Sequence, residues 1–375
     1  MAYKVWNWLL KKWPHFTYDK EALEELEFQF SQNTGTALGV LKHVQKESKD
    51  DLLVEILSTE ALKTSEIEGE ILNRESVQSS IKKNLGLITD KRKIPPAEYG
   101  ISEMMVDLYL NYNKPLSHDQ LFEWHKMITN GRRDLIDIGR YRTHEDPMQV
   151  VSGRLDKPKV HFEAPPSKQV SKEMEQFINW FNAVHSSESK YEILPLVKAG
   201  IAHLYFVSIH PFEDGNGRIG RAIADKSISL STKQPTLISL SHTIEESKKK
   251  YYASLEKHNT VLEITDWLVY FGQTILDAQQ FTLKQIDFLI EKAKFFDYFS
   301  AQINVRQLKV IKRLFEAGYT GFKGGLSANN YMRIAKTSAS TATRDLKDLE
   351  EKQIFIKTGK LKSTRYSLNN KSFKK

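Results

Sequence analysis

Apolar positions between Leu194 and Ile209 recur every three or four residues, at Leu194, Val197, Ile201, Leu204, Tyr205 and Ile209, which predicts a buried helix. Pro211 cannot continue that helix. Turn-forming residues follow it, and the run from Ile219 to Lys226 opens a second helix. Earlier in the chain, Leu53, Ile56, Leu57 and Leu62 mark a helix over residues 51–69, with Gly69 as its terminator. Tyr18 through Gln45 reads as a longer helix, apolar at Leu23, Leu26 and Phe28. Trp6, Trp8, Trp13, Pro14 and Phe16 precede it and form an aromatic cluster that reads as a small core, with a binding surface as the alternative. After Gly139-Arg140-Tyr141-Arg142 come two β-prone runs, Met148 to Gly153 and Val160 to Pro166. The polar segment Arg154 to Lys159 separates them, so they read as a hairpin. The chain therefore divides into a helical N-terminal part over 1–90, a central domain over 91–295 entered through Lys91-Arg92-Lys93-Ile94-Pro95-Pro96, and a third part over 301–375.

That third part has its own pattern. Leu308, Val310, Ile311, Leu314 and Phe315 stripe a helix over Gln307 to Ala317, and Gly318 to Gly325 is a glycine-rich loop. Leu326 to Ala335 and Ser338 to Lys352 form two more helices around a turn at Lys336-Thr337. Ile354 to Ile356 and Arg365 to Leu368 then pair around the basic tip Thr358-Gly359-Lys360-Leu361-Lys362. Three helices and a two-stranded wing describe a winged helix, with Ser338 to Arg344 opening the helix that would enter a major groove. Charge sharpens the picture without deciding it. Residues 301–375 hold seventeen Lys and Arg against five Asp and Glu, or +12; the whole chain is +8, so residues 1–300 carry −4. Contact with DNA through 326–368 is one reading. A dimerisation or docking module is the other, since Asp345, Asp348, Glu350 and Glu351 put acids on the same helix.

Composition removes several chemistries. With no cysteine in 375 residues there are no disulfides, thiolate metal sites or cysteine nucleophiles. No stretch has the length and apolarity of a signal peptide core or a membrane span, so a cytoplasmic location without membrane contact is the expectation.

The chemistry gathers in His210 to Arg221, HPFEDGNGRIGR. A glycine-rich loop that opens a helix presents unpaired N–H groups and a positive dipole end, which is an anion site. Gly215 and Gly217 leave the backbone bare for close approach. Asp214 is a hard oxygen ligand suited to Mg²⁺ or Mn²⁺ shared with substrate phosphates. Arg218 and Arg221 lie on one helical face and both reach a polyphosphate. His210 is neutral often enough near pH 7 to accept a proton. His203, about two turns earlier, reads as a packing histidine, with a second catalytic group as the alternative.

These residues match HPFxDGNGRxxR, the signature of the Fic family, at every fixed position. The chain resembles a Fic protein adenylyltransferase with an N-terminal inhibitory helix and a C-terminal winged helix. The resemblance implies a mainly α fold: an all-helical core, a β-hairpin flap, an N-terminal helical domain and the winged helix. It implies transfer of AMP from ATP to a Ser, Thr or Tyr hydroxyl of a target protein that docks on the flap, 148–162. His210 would be the general base and Asp214 the Mg²⁺ ligand. Gly215, Asn216 and Gly217 would line the anion hole, with the Asn216 side chain on a phosphate oxygen. Arg218 and Arg221 would hold the β- and γ-phosphates within the Arg218-Ile219-Gly220-Arg221 turn. Val151, Ser152 and Gly153 of the flap would cover the nucleotide. Tyr251 or Tyr252 would stack on adenine, and Asn259 would read its edge.

Thr64-Ser65-Glu66-Ile67-Glu68-Gly69 fits the family's inhibitory pattern [S/T]xxxE[G/N]. By that resemblance Glu68 takes Arg221 away from the γ-phosphate. Pairing of Fic cores into a homodimer is a further implication. Three other uses of such a site remain: removal of AMP from a modified protein, transfer of another phosphorylated group such as UMP or phosphocholine, and ATP sensing by a DNA-bound regulator.

Overall fold

The computed structural model describes residues 4–369 apart from 43, 45, 89, 155, 156, 187, 189–191 and 316–323. The fold is mainly helical, and among the described residues the named strands form two antiparallel pairs. By its internal contacts the chain divides into two units: residues 1–36 with 53–282, and 37–52 with 283–375. The N-terminal segments 1–36 and 53–90 thus share a unit with His210 to Arg221.

The elements in chain order are α1 (Glu24–Lys42), α2 (Lys46–Ile67), α3 (Arg74–Asn84), α4 (Pro96–Leu110) and α5 (His118–Ile128). The hairpin β1 (Gln149–Arg154) and β2 (Lys157–Glu163) follows, then α6 (Ser167–His185), α7 (Pro195–Ile209) and α8 (Asn216–Thr232). Next are α9 (Leu240–Glu246), α10 (Lys248–His258) and α11 (Thr265–Phe299). Phe28 is exposed and Phe30 is the buried phenylalanine of α1, which begins at Glu24 rather than at Tyr18. The expected end of that helix at Gln45 lies outside the described residues.

In the first unit α7 is the central element. Tyr205, Phe206 and Ile209 enter one apolar cluster with Met104, Trp124, Phe177 and Phe212. Leu196, Val197, Ile201 and Leu204 enter a second with Trp267, Phe271 and Ile275. A helix buried on every side must be apolar on every side, and α7 is. Gly200 allows the contact with α11, because a Cβ there would lie 2.6 Å from Leu268. Leu194, the residue before α7, offers no side-chain cap. Glu27 replaces it from α1, accepting from the N–H groups of Leu196 and Val197 at 2.8 and 3.2 Å. Burial pushes this carboxyl up to about 7.

The N-terminal aromatics join apolar cores that other elements complete. Trp6 packs edge-on against Phe162 of β2, and the Trp8 indole donates to the Glu163 carbonyl at 2.7 Å. Trp13 and Phe16 instead pack on Tyr205 of α7. Aromatic rings in a segment without a regular helix bury themselves against whatever larger core is adjacent.

In the second unit α12 (Val305–Phe315), α13 (Ala328–Ala335) and α14 (Ala339–Glu351) surround Val310, Ile311, Tyr331, Leu346 and Leu349. Ser327 and Ser338 cap α13 and α14 by accepting from Asn330 and Thr341 N–H. Strands β3 (Phe355–Thr358) and β4 (Arg365–Leu368) complete the unit, and Leu326 bridges to Tyr366 beside β4. Most of the expected loop at Gly318 to Gly325, and the end of the preceding helix at Ala317, lie outside the described residues. No helix among the described residues is long and apolar enough to cross a membrane.

Candidate active site

α7 stops at His210, whose backbone is left-handed at φ 51° and ψ 58°. Pro211 cannot rejoin the helix, and the chain turns through Phe212 to Gly215. Asn216 sets the shape of that turn: its amide oxygen accepts from Phe212 N–H at 3.0 Å, and its amide nitrogen donates to the Phe212 carbonyl at 2.8 Å. It is buried, so the expected reach of its side chain to a phosphate oxygen gives way to an internal role. Gly215, at φ +82°, caps α8, and a Cβ there would lie 2.4 Å from Ile128. The N–H groups of the first turn of α8 have no intrahelical acceptor, as at every helix start, and the α8 dipole adds its positive end there.

Charged side chains crowd this helix start. Asp214 Oδ2 lies 2.5 Å from Arg132 and 3.3 Å from Arg218, while Oδ1 accepts from Gly215 N–H at 2.7 Å. Burial opposes ionisation of Asp214, but Arg218, the Gly215 N–H and Arg132 outweigh it and hold the carboxyl below its usual range. Arg218 also meets Glu70 at 3.0 Å. Arg221 is 1% exposed; its Nη2 lies 2.8 Å from Glu68 Oε1, and it donates from Nε to the Thr64 hydroxyl and from Nη2 to the Thr64 carbonyl. Burial works against its charge, and Glu68 more than restores it. The Glu68 carboxylate sits against the bare Cα of Gly217, where a Cβ would lie 2.1 Å from Oε1. Two donors have no hydrogen-bond partner among the described residues: Arg218 Nε and Arg221 Nη1. Buried orphan N–H groups of this kind are costly unless an acceptor arrives.

Burial pushes His210 down to about 4; Arg142 adds to that, while Glu68 and Asp214 oppose it. The ring is therefore neutral at pH 7. Its Nδ1 lies 3.2 Å from the Val207 carbonyl, which assigns the proton to Nδ1 and leaves the lone pair on Nε2. The loop rests on His125, which stacks on Phe212 at 4.2 Å and accepts from Gly139 N–H at 3.0 Å. Glu213 accepts from Ile136 and Asp137 N–H, both at 2.8 Å.

Residues 115–227 match the Fic/DOC family, and residues 6–87 match DUF4172, a domain of unknown function. The chain carries a Fic/DOC domain. It is 31% identical over 144 residues to protein adenylyltransferase fic-1 of Caenorhabditis elegans, covering 38% of this chain and 24% of that protein. It is 30% identical over 129 residues to protein adenylyltransferase Fic of Drosophila melanogaster, covering 34% and 24%. The match thus spans about a quarter of these curated relatives. Among solved structures, a Fic family protein from Desulfovibrio desulfuricans aligns over 95% of this chain and 98% of its own, with a TM-score of 0.53 at 20% identity. Residues 134–508 of Fic-1 from C. elegans align over 74% and 73%, with a TM-score of 0.50 at 22% identity. These likenesses show the fold.

The remaining expected site residues are distributed unevenly around the Fic domain. Val151, Ser152 and Gly153 lie on exposed β1, with Ser152 Oγ 2.6 Å from His161 Nε2; the hairpin tip at 155–156 lies outside the described residues. Tyr252 is 38% exposed, and its hydroxyl is 3.5 Å from Glu68 Oε2. Tyr251 is 1% exposed and bonded to His203 at 2.7 Å, so its ring belongs to the core and is unavailable for stacking on adenine. Asn259 is also buried, and its backbone carbonyl accepts from Asn7 N–H at 2.7 Å. Ile219 is fully buried, and a Cβ on Gly220 would lie 2.9 Å from Val207; both serve the packing of α8 on α7. His203 stacks on Phe271 and Trp267 as a packing histidine. Sequence reading missed Arg132, Arg142 and the partnership of Glu70 with Arg218. Glu70 alone had a signal, its place in the acidic turn beside Glu68.

Proposed function

We propose that this chain is a protein adenylyltransferase that moves AMP from ATP to a Ser, Thr or Tyr hydroxyl of a target protein and is restrained by Glu68. One observation carries the reading: two buried arginines with orphan donors converge on a helix start beside a neutral imidazole, in a domain similar to proteins named adenylyltransferases. The target hydroxyl gives its proton to His210 Nε2 as its oxygen attacks the α-phosphorus. The bond to the β-phosphate oxygen breaks, and pyrophosphate leaves with the electron pair. Such transfers depend on positioning and charge neutralisation more than on covalent help.

The first N–H groups of α8 and Arg218 take the phosphate oxygens, and Arg221 takes the tail once Glu68 yields. Tyr252 is the one exposed tyrosine of the pair and the candidate to stack on adenine. For a metal, Asp214 is the single hard ligand, and no group of three or more His, Asp or Glu able to hold one occurs among the described residues. That donor set fits Mg²⁺ bound through one carboxylate, substrate phosphates and water, with Arg132 giving up Oδ2. Mg²⁺ would neutralise charge on the leaving pyrophosphate. The winged-helix reading of 301–375 stands as part of this proposal. Asp345 and Asp348 pair with Arg306 and Lys352 inside that unit, so they do not count against an outward-facing role for α14.

Intact-protein mass spectrometry tests the reading. Incubation with ATP and Mg²⁺ should add one AMP to protein or target in a His210-dependent way. Addition of a phosphoryl group alone would replace adenylylation with a kinase activity.

A further inference from the structure

Arg142 lies outside the signature, and its side chain is the least expected group near it. It is 2% exposed and has no carboxylate partner among the described residues. Its guanidinium meets only neutral oxygens. Nε donates to the His210 carbonyl at 2.9 Å, Nη1 to the Ser167 hydroxyl at 2.8 Å, and Nη2 to the Pro165 carbonyl at 2.5 Å and the Ile209 carbonyl at 3.5 Å. Its own N–H donates to the Pro211 carbonyl at 2.9 Å. The Ser167 hydroxyl passes the chain on to the His144 carbonyl at 2.6 Å.

A buried charge without a counter-ion is expensive, and burial pulls this arginine down to about 10. Two features of the site need such a group. His210 is a non-glycine residue held in the left-handed region, a conformation that persists only when its surroundings over-determine it. Carbonyls at 209, 210 and 211, the last three before the turn, all accept from Arg142. Pro165 follows the end of β2, so the same fork reaches the root of the flap. A planar guanidinium with fixed donor directions can hold these points at once, and an ammonium cannot.

We propose that Arg142 is the positioning residue of this site: it locks the backbone of His210 and ties it to the flap root. The base and the strand expected to present the hydroxyl are thereby kept in one register. The proposal rests on His210 acting as the base. It assigns a role to the Gly139-Arg140-Tyr141-Arg142 segment, which the phosphate chemistry leaves unused.

The test uses the full chain carrying Glu68→Gly, with Arg142→Ala and Arg142→Lys added separately, each checked for a folded far-UV spectrum. Self-modification by ATP and Mg²⁺ is followed by mass. A misplaced base should lower kcat about 100-fold in both variants while KM for ATP stays within about threefold. Millimolar guanidinium should partly restore Arg142→Ala but not Arg142→Lys. The acid limb of the pH profile should rise in Arg142→Ala, because a positive charge facing His210 is lost while Asp214 remains. A kcat within about threefold of the parent, or a loss confined to KM, would overturn the proposal. If the Glu68→Gly parent shows no modification, adenylylation itself fails. The His210 ring resonances of wild type and Arg142→Ala, followed by NMR, then decide alone: a displaced or doubled signal supports the lock, and an unchanged one overturns it.

Discussion

Replacing Glu68 by glycine should switch this protein on. Glu68 contacts Arg221 through a 2.8 Å bond in which the arginine is 1% exposed and the glutamate 28%. A hydrogen bond to a charged group in such a setting contributes about 1.5–3 kcal/mol. At about 1.4 kcal/mol per factor of ten, its removal should raise productive ATP binding and turnover roughly 10- to 150-fold. The assay is intact mass after incubation with ATP and Mg²⁺, on wild type, Glu68→Gly and Glu68→Gly/His210→Ala. The single variant should gain one AMP and the double variant none. A second readout follows from the orphaned charge. In the variant Arg221 keeps its bonds to Thr64 but loses its carboxylate partner, so the apo protein should melt lower, and ATP with Mg²⁺ should raise its melting point more than that of wild type. Equal modification rates in wild type and Glu68→Gly, with equal nucleotide-induced shifts, would refute the reasoning.

Three further outcomes are expected. Glu70→Gln frees Arg218 from a pair whose acid is 38% exposed, so ATP affinity by calorimetry should improve by at most about fivefold; a loss of affinity would contradict this. Gly217→Ala puts a methyl where the Glu68 carboxylate and an incoming phosphate compete for space, so nucleotide binding should fall about tenfold or more, and no AMP adduct should form even with Glu68→Gly. Unchanged binding would show that the anion seat lies elsewhere. Burial pushes Glu60 up to about 7, with the Ser241 hydroxyl and N–H opposing. The folded state therefore holds this proton more tightly than the unfolded chain, and the stabilisation is lost as pH rises towards and through about 7. Neutral His125 and His203, both buried, and half-buried His210 run the other way, since their contribution is lost as pH falls below about 6.5. The melting-point difference between wild type and Glu60→Gln follows Glu60 together with buried Asp225, whose carboxyl the Glu60 charge also pushes up: it should shrink as pH rises from about 5. A constant difference would exclude a protonated Glu60.

What sequence could reveal was local. His210 to Arg221 carries its geometry in its residue types: proline ends one helix, glycines bare the next, and the ionisable groups follow at fixed intervals. The helices before and after it, and the hairpin over 149–163, are likewise visible as periods of three to four or of two. Orientation about a helix axis was harder. Tyr251 and Tyr252 differ by about 100° around α10, and no periodicity in Lys248–His258 says which faces inward. Buried His203 settles it by bonding Tyr251. Of the contacts made across long separations, only Glu68 with Arg221 was anticipated, and that through the family resemblance rather than the spacing. Arg132 and Asp214, Arg142 and His210, and Glu27 and the start of α7 meet only once the chain is folded. The N-terminal tryptophans were legible as core residues, but their partners Phe162 of β2 and Tyr205 of α7 lie too far along the chain to be read from the cluster.

Glu68 and Arg221 are separated by 153 residues, with the acid first. A chain made at about 5–20 residues per second exposes Glu68 roughly 8–30 s before Arg221 is polymerised. If Glu68 restrains the site as proposed, the signature loop emerges after the acid that restrains it has already been made. Such restraint would depend on no segment still to be synthesised. An inhibitory segment encoded after the loop would leave every nascent copy open for the same span of seconds.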